Sequence, residues 1–436
     1  MNLTIVGTNE ISISTALLLA YMNHFVIVVD DNQAKIDLLK NNSFHFYEPH
    51  LNELLNISSD KLFFTTNLTE AIATSDIVYH TSHEGYSWSE SVQIFTESLK
   101  YKRKILINKS IDRIGLTSTI HEMIWEKSEN FSLIYEAPYV RAGNIVQDTF
   151  YPDKIVIGTQ DKETIKIIKD LYSPIINKNV IIPSFVPSPV DHSASIIFTD
   201  INSAELSFHT ERVMMGIKSA FCNEVSNLAE TYDADMGEII RIWQKTESIN
   251  NFNLNPGLGW SQKEFGDNFN YLSEAAERAG IKLPVLTSTI QSNYDRRVRL
   301  VQKAETILNG FAGKNIGILG LTYKPFIDDI TDSPGIELAE NFVSLGATVR
   351  VHDPVGLFKM QIKRPDLNVQ SCYHVIGTFE DADMVILVTE WPEYNKIDWF
   401  EYSEIMRNKN VFDARNFLDK TTLNNVGIKV YRFGSV

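Results

Sequence analysis

The sequence predicts an α/β fold: two doubly wound domains with parallel sheets, joined by a long central helix and a helical middle domain. Three observations predict it. Short β-rich runs alternate with helical patterns through the first third of the chain. A long stretch from Ser203 to Trp243 lacks proline and repeats its apolar residues at spacings of three and four. Strand–helix alternation then resumes after about residue 305. Strands that alternate with helices imply parallel sheets built from crossover units, and a three-to-four spacing marks a helix with an apolar face.

Taken in order, "LTIVG" (3–7) reads as the first strand and "ISTALLLAYM" (13–22) as a helix. "FVIVVDD" (25–31) is a second strand, followed by the helical "QAKIDLLKN" (33–41). "DIVYHTS", "KILINKS", "FSLIYEA" and "KIVIG" repeat the strand theme as far as Gly158. The stretch from Ser203 to Trp243 reads as one long buried helix, and "LSEAAERAG" (272–280) as another. "NIGILG", "TVRVHDP", "DMVILVTEW" and "NVFDARN" then supply the strands of the last domain.

At 436 residues the chain exceeds one ordinary core, so two or three domains are expected. Its 44% hydrophobic and 22% charged residues are those of a soluble globular protein. A net charge of −15 argues against nucleic acid, which calls for clustered Lys and Arg. No apolar run approaches the roughly 20 residues of a membrane helix. "MNLTIVG" reads as an immediate strand with no targeting segment before it. Two distant cysteines, Cys222 and Cys372, make no disulfide framework and no Cys-rich zinc site. We therefore expect a cytoplasmic protein without a metal and without a membrane.

The first strand-to-helix turn decides whether a dinucleotide binds, because its glycines let backbone amides reach the pyrophosphate. Here the turn is "GTNEIS", Gly7 to Ser12. Gly7 is the first glycine of G-x-G-x-x-G, while Asn9 and Ser12 hold the other two positions. The acid expected about 20 positions on, to bond the ribose hydroxyls, is Asp30 at the end of "VIVVD". Gly7 and Asp30 are thus the cofactor-binding candidates. Equally, Gly7 would serve the turn and Asp30 would start the next helix. His80, His83 and Glu84 in "VYHTSHEGY" form a His/His/Glu cluster, most simply read as solvated loop residues.

"GILGLTYKPFIDDITDSP", "VHDP", "LVTEWPEY" and "DARNFLD" resemble the nucleotide-sugar-binding domain of the UDP-glucose/GDP-mannose dehydrogenase family. "YEPHLNELL" (47–55) and the central "AEL…KSAFCNE" resemble the same family, so the similarity runs nearly end to end. It implies a Rossmann-like NAD-type domain over residues 1–190 and a helical dimerisation domain over 191–305. Residues 306–436 would form a Rossmann-like UDP-binding domain. It also implies a homodimer, NAD as cofactor and a UDP-sugar or related sugar nucleotide as ligand. The implied reaction oxidises a sugar alcohol to a carboxylate in two hydride steps, through a cysteine thiohemiacetal and thioester, in polysaccharide biosynthesis.

Carried over residue by residue, the catalytic set is absent. The family's loop, roughly P-G-x-G-x-G-G-[SH]-C, corresponds to Pro256 onward and places Glu264 at the thiol position. Ser261 and Gln262 replace the two glycines before it. The family's lysine falls on Phe208 and its asparagine on Arg212. Its two glutamates fall on Pro138 and Ala142 in "EAPYVRAG", where Arg141 and Gly143 persist. Its threonine falls on Ile111, its aspartate near Asn268, with Asp267 adjacent if the register slips by one, and its partner-reaching arginine on Ser248. Cys222, within a predicted helix, reads as an inert buried thiol.

The nucleotide half persists. Lys324 in "TYKP" and Arg415 in "DARN" are the charges expected near phosphate or sugar hydroxyls. Gly257 and Gly259 let the loop backbone approach a ligand, and Arg141 completes the substrate-binding candidates. Asp328 and Asp329 also persist, whereas the arginine of "D-D-x-R-x-S-P" is Thr331. Three functions follow. The first is a pseudoenzyme that binds a sugar nucleotide or regulates a partner, such as a true dehydrogenase or a glycan-synthesis enzyme. The second is a non-oxidative enzyme using Glu264 with Arg212 as oxyanion partner. The third is an active NAD-dependent dehydrogenase with a divergent site.

Overall fold

The computed structural model describes residues 1–81, 85–189, 193–246 and 255–434. Two compact units emerge, Met1–Thr210 and Glu211–Val436, and their boundary falls inside the helix Ile201–Thr231. Both units are α/β, so the two Rossmann-like sheets and the helical middle are present as expected.

In the first unit the strands are β1 (Asn2–Val6), β2 (Phe25–Val29), β3 (Leu62–Thr65), β4 (Ile77–His80), β5 (Lys104–Asn108), β6 (Phe131–Glu136), β7 (Lys154–Gly158) and β8 (Ser195–Thr199). Their order is β3-β2-β1-β4-β5-β6-β7-β8, parallel except where β7 meets β6. The central strands are buried and largely apolar because helices cover both faces. β5, for example, is buried at all five positions. The helix Glu10–Tyr21 is buried from Ser12 to Ala20, small residues and leucines alike. The chain runs outward from β1 and returns to β4, so the crevice at the C-terminal ends of β1 and β4 is the switch point where such sheets bind ligands.

The second unit holds β9 (Asn315–Leu319), β10 (Thr348–His352), β11 (Gln370–Ser371), β12 (Met384–Leu387), β13 (Asn410–Asp413) and β14 (Lys429–Arg432), all parallel in the order β11-β10-β9-β12-β13-β14. Its switch point lies between β9 and β12. There Gly320 takes a φ of +101°, and a Cβ on it would collide with Thr389.

The expected continuous helix from Ser203 to Trp243 is broken. Ile201–Thr231 stops, Asp233 adopts a φ of +51°, and Asp235 caps a new helix, Met236–Trp243, through Glu238 N. Nor is the long helix buried throughout: Met214, Phe221 and Leu228 are more than half exposed. The apolar spacing was the signature of a two-sided helix, with one side in the core and the other at the surface.

Candidate functional site

Gly7 closes β1 with a φ of +112°, a conformation glycine adopts without strain, and its N–H donates to Val29 O at 2.9 Å. Asn9 then caps the helix Glu10–Tyr21. Its Oδ1 accepts from Ser12 N at 2.9 Å and from Ser12 Oγ at 2.7 Å, and its Nδ2 donates to Thr81 O at 3.2 Å. Ser12 Oγ also lies 2.5 Å from Thr81 Oγ1, which reaches Val6 O at 3.0 Å. Asp30 is buried at the end of β2; it accepts from Thr8 Oγ1 at 2.6 Å and from Asn32 N at 3.0 Å. Gly7 and Asp30 thus stand where a dinucleotide would use them. Asn9 and Ser12 do not fit its pyrophosphate, since their side chains fill the turn and engage the amide that a phosphate would take.

Where the resemblance would put polar catalytic groups, the first unit packs apolar ones. Phe208 is fully buried and meets the ring of Tyr139 edge-on at 5.3 Å. Both belong to one cluster with Ile111, Tyr135, Ala137, Val156 and Ala204. Pro138 is buried beside them. Arg141 is bound to Asp148, with Nη2 at 2.5 Å from Oδ1 and Nε at 3.0 Å from Oδ2. Its loop is pinned by the buried Glu48 of "YEP", which accepts from Gly143 N and Ile145 N, each at 2.7 Å. Glu48 was missed by chemical reasoning alone; a carboxylate inside a recurring motif was its signal.

The second unit gathers the other candidates. The loop from Asn255 is clamped from two helices. Gly257 N donates to Asn223 Oδ1 at 2.9 Å, and Gly257 O accepts from Arg296 Nε at 2.7 Å. Asn293 brackets Trp260, accepting from its N and donating to its O, each at 2.9 Å. Gly259 takes a φ of +78°, and a Cβ there would overlap Asn293 Oδ1. At Gly257 a Cβ would touch Arg415 Nη1 at 3.5 Å, so the loop backbone passes beside that guanidinium. Neither asparagine nor Arg296 was singled out from sequence.

Ser261 then caps a π-helical turn, Gln262–Gly266, by accepting from Glu264 N at 3.1 Å. Such turns recur at functional sites. Glu264 is half-buried. Burial pushes its carboxyl above the ordinary value, against the pull of the Lys324, Arg415 and Arg212 charges, while Glu390 pushes it further up. Arg415 donates to Val388 O at 2.6 Å and Tyr323 O at 3.3 Å and pairs with Glu390 Oε2 at 3.2 Å. Arg212 lies over the Phe265 ring at 5.4 Å. The turn that carries Lys324 is held by the buried Asp353 of "VHDP", which accepts from Leu321 N at 2.7 Å, Thr322 N at 3.1 Å and Trp391 Nε1 at 3.2 Å. Asp328 pairs with Lys359 at 2.7 Å. Asp329 accepts from Thr331 N at 2.9 Å and lies 4.0 Å from Lys263, so both acids shape the turn. A carboxylate ringed by three cations can exchange a proton or bind next to an anion, but it cannot form a thiohemiacetal.

Neither thiol is near a reactive environment. Cys222 is buried, and burial drives its pKa up to about 11; burial also raises Cys372. His80 is no solvated loop residue: it ends β4, fully buried and stacked on Trp88 at 3.8 Å. His83, Glu84 and Ser248 lie outside the described residues. Among the described residues no group of three His, Cys, Asp or Glu could hold a metal, and no helix is long and apolar enough to cross a membrane.

Three family models match in order along the chain. They are the NAD binding, central and UDP binding domains of the UDP-glucose/GDP-mannose dehydrogenase family, over residues 1–176, 202–295 and 317–420. UDP-glucose 6-dehydrogenase of Rickettsia bellii is 28% identical over 446 residues, covering 100% of both chains. UDP-glucose 6-dehydrogenase YwqF of Bacillus subtilis is 26% identical over 447 residues, covering 100% of this chain and 98% of its own. Among solved structures, a UDP-glucose dehydrogenase from Pyrobaculum islandicum superposes with a TM-score of 0.86 at 24% identity, over 99% of this chain and 97% of that one. At that identity the likeness speaks for the fold alone. NAD is accordingly the cofactor by family resemblance, and a UDP-binding domain is present. With its three domain models matched in order and its two parallel sheets in place, this chain belongs to the UDP-glucose/GDP-mannose dehydrogenase family.

Proposed function

We propose that the chain binds a UDP-sugar or related sugar nucleotide through residues 306–436 and has lost the thiol-dependent oxidation. As a dimeric pseudoenzyme it would regulate a partner, such as an active dehydrogenase or another enzyme of glycan synthesis. Residues 1–190 and 191–305 then serve as an NAD-type domain and a dimerisation domain. The observation that carries this reading is the apolar cluster around Phe208 and Ile111, built where the family resemblance puts a lysine and a threonine. A single lost side chain would leave a hole, whereas here Phe208 is fully buried against the Tyr139 ring in a packed cluster.

Retention of Lys324 and Arg415 beside a clamped loop supports the binding half. Calorimetric titration with UDP-glucose and, separately, UDP-N-acetylglucosamine should show binding, while NADH formation with the same sugars should be undetectable. Lys324→Ala and Arg415→Ala should each weaken binding about tenfold or more, the equivalent of a charged hydrogen bond of roughly 1.5–3 kcal/mol. NADH formation above the no-enzyme rate would sink the proposal and favour a divergent dehydrogenase.

A second reading has its own observation. The half-buried Glu264, held above the ordinary carboxylate value among three cations, suits a general acid or base in a non-oxidative step on the bound sugar. Conversion of a sugar nucleotide without NAD that Glu264→Gln abolishes would establish it; conversion that survives the substitution would exclude it.

A further inference from the structure

We infer that Thr8, Asn9 and Ser12 form an intramolecular cap over a latent dinucleotide site, and that glycine at position 9 with alanine at position 12 reopens it. The inference concerns the first unit alone and stands whether or not the sugar-nucleotide reading does.

The frame of a dinucleotide site is intact. β1 ends in a glycine with positive φ, the helix Glu10–Tyr21 points its N-terminus at the β1/β4 crevice, and β2 ends in a buried acid, Asp30. What a cofactor would supply, the chain supplies itself. The first amides of a helix lack intrahelical partners and attract phosphate oxygens. Here Asn9 Oδ1 takes the Ser12 amide at 2.9 Å and its hydroxyl at 2.7 Å. A ribose diol would donate to the acid at the end of β2. Thr8 Oγ1 does so instead, at 2.6 Å from Asp30 Oδ2.

Across the crevice, Asn9 Nδ2 bonds Thr81 O at 3.2 Å and Ser12 Oγ meets Thr81 Oγ1 at 2.5 Å, so β4 is latched to the turn. Ser12 and Thr81 are both buried. A pyrophosphate entering this turn must break the latch and displace the Asn9 side chain from its bonds to Ser12 and Thr81 O. The cost falls on the diphosphate and less on the ribose.

Two side chains therefore block the pyrophosphate at this turn, and Thr8 occupies the acid beside it. Glycine is well tolerated at a helix N-cap, and alanine satisfies the third fingerprint position while favouring helix. The experiment is calorimetric titration of the full-length chain with NAD, for the wild type, Asn9→Gly and Asn9→Gly/Ser12→Ala. Thermal unfolding of each shows that it folds. We expect wild-type affinity no better than about millimolar, and a gain of roughly tenfold or more in the double variant, with a smaller gain for Asn9→Gly. Thr8→Val, which frees Asp30 Oδ2, should add to the double variant. AMP, with one phosphate and the same ribose, should gain less than NAD. Wild-type NAD affinity near micromolar, or a folded double variant with no gain, would overturn the inference. If the double variant does not fold, the single Asn9→Gly decides on the same criterion.

Discussion

At the scale of single residues, Glu264 is the position whose identity was legible and whose setting was not. The sequence places a carboxylate where the family has a thiol, and the resemblance already sets Arg212 beside it, but the company of Glu390 required the fold, because that residue comes from the loop after β12. That setting makes ligand binding proton-linked. Burial already raises the carboxyl, and the cations that pull it the other way are those an anionic diphosphate would share. Binding should therefore raise it further and take up a proton. The complex then binds more protons than the free protein, so affinity falls as pH rises from the free-state value of Glu264 to its higher value in the complex. Below both values it is flat. We expect calorimetry with UDP-glucose in buffers of different ionisation enthalpy to report proton uptake, and Glu264→Gln to remove it. Equal uptake by wild type and variant would place the titrating group elsewhere. The thiols make a simpler case: with a pKa near 11, Cys222 stays protonated at neutral pH and should resist alkylation until the chain unfolds.

Among the elements, the legible strands are the central ones and the missed ones are the edges. β3, β8, β11 and β14 end their sheets, and none was read from sequence. A strand covered on both faces is apolar through its middle, whereas an edge strand keeps solvent-facing residues that blur its pattern. Phe63 of β3 and Ile197 of β8 are about half exposed. The "AEL" motif shows the converse, legible as a resemblance before its physics was visible. Ala204 sits so close to Gly158 that a Cβ on the glycine would lie 2.9 Å from the alanine methyl. The buried Glu205 accepts from Gly115 N at 2.7 Å and Thr117 N at 3.0 Å, capping the helix Leu116–Trp125. Glu205→Ala would strand two amides and the Thr117 hydroxyl, so we expect a loss of about 3 kcal/mol in urea unfolding. A loss within about 0.5 kcal/mol would show that water replaces the carboxylate there.

For the molecule as a whole, the long helix poses the question of what covers its outer side. Sequence could not separate an internal face from a subunit interface, because both are written in the same apolar spacing. The fold divides these residues between a buried side and an exposed one. Val213, Ala220 and Cys222 are buried within the second unit, while Met214, Phe221, Leu228 and Tyr232 are 51%, 57%, 58% and 76% exposed. Met214, Phe221 and Leu228, spaced by seven, make one stripe along the helix, and Tyr232 follows just past its end. An apolar stripe of that length is costly in water and marks an association surface. We propose that a second copy of the chain covers it, which is the homodimer the family resemblance implies. Phe221→Glu with Leu228→Glu should then convert a dimer to a monomer by light scattering without changing sugar-nucleotide affinity. The net charge of −15 on each copy adds a second readout. Two such copies repel, and salt screens that repulsion, so dimerisation should strengthen as ionic strength rises. A stripe held by apolar contact and opposed by charge gives that sign; an interface held by ion pairs gives the reverse. A monomeric wild type, or a dimer that survives both substitutions, would leave the stripe to another partner.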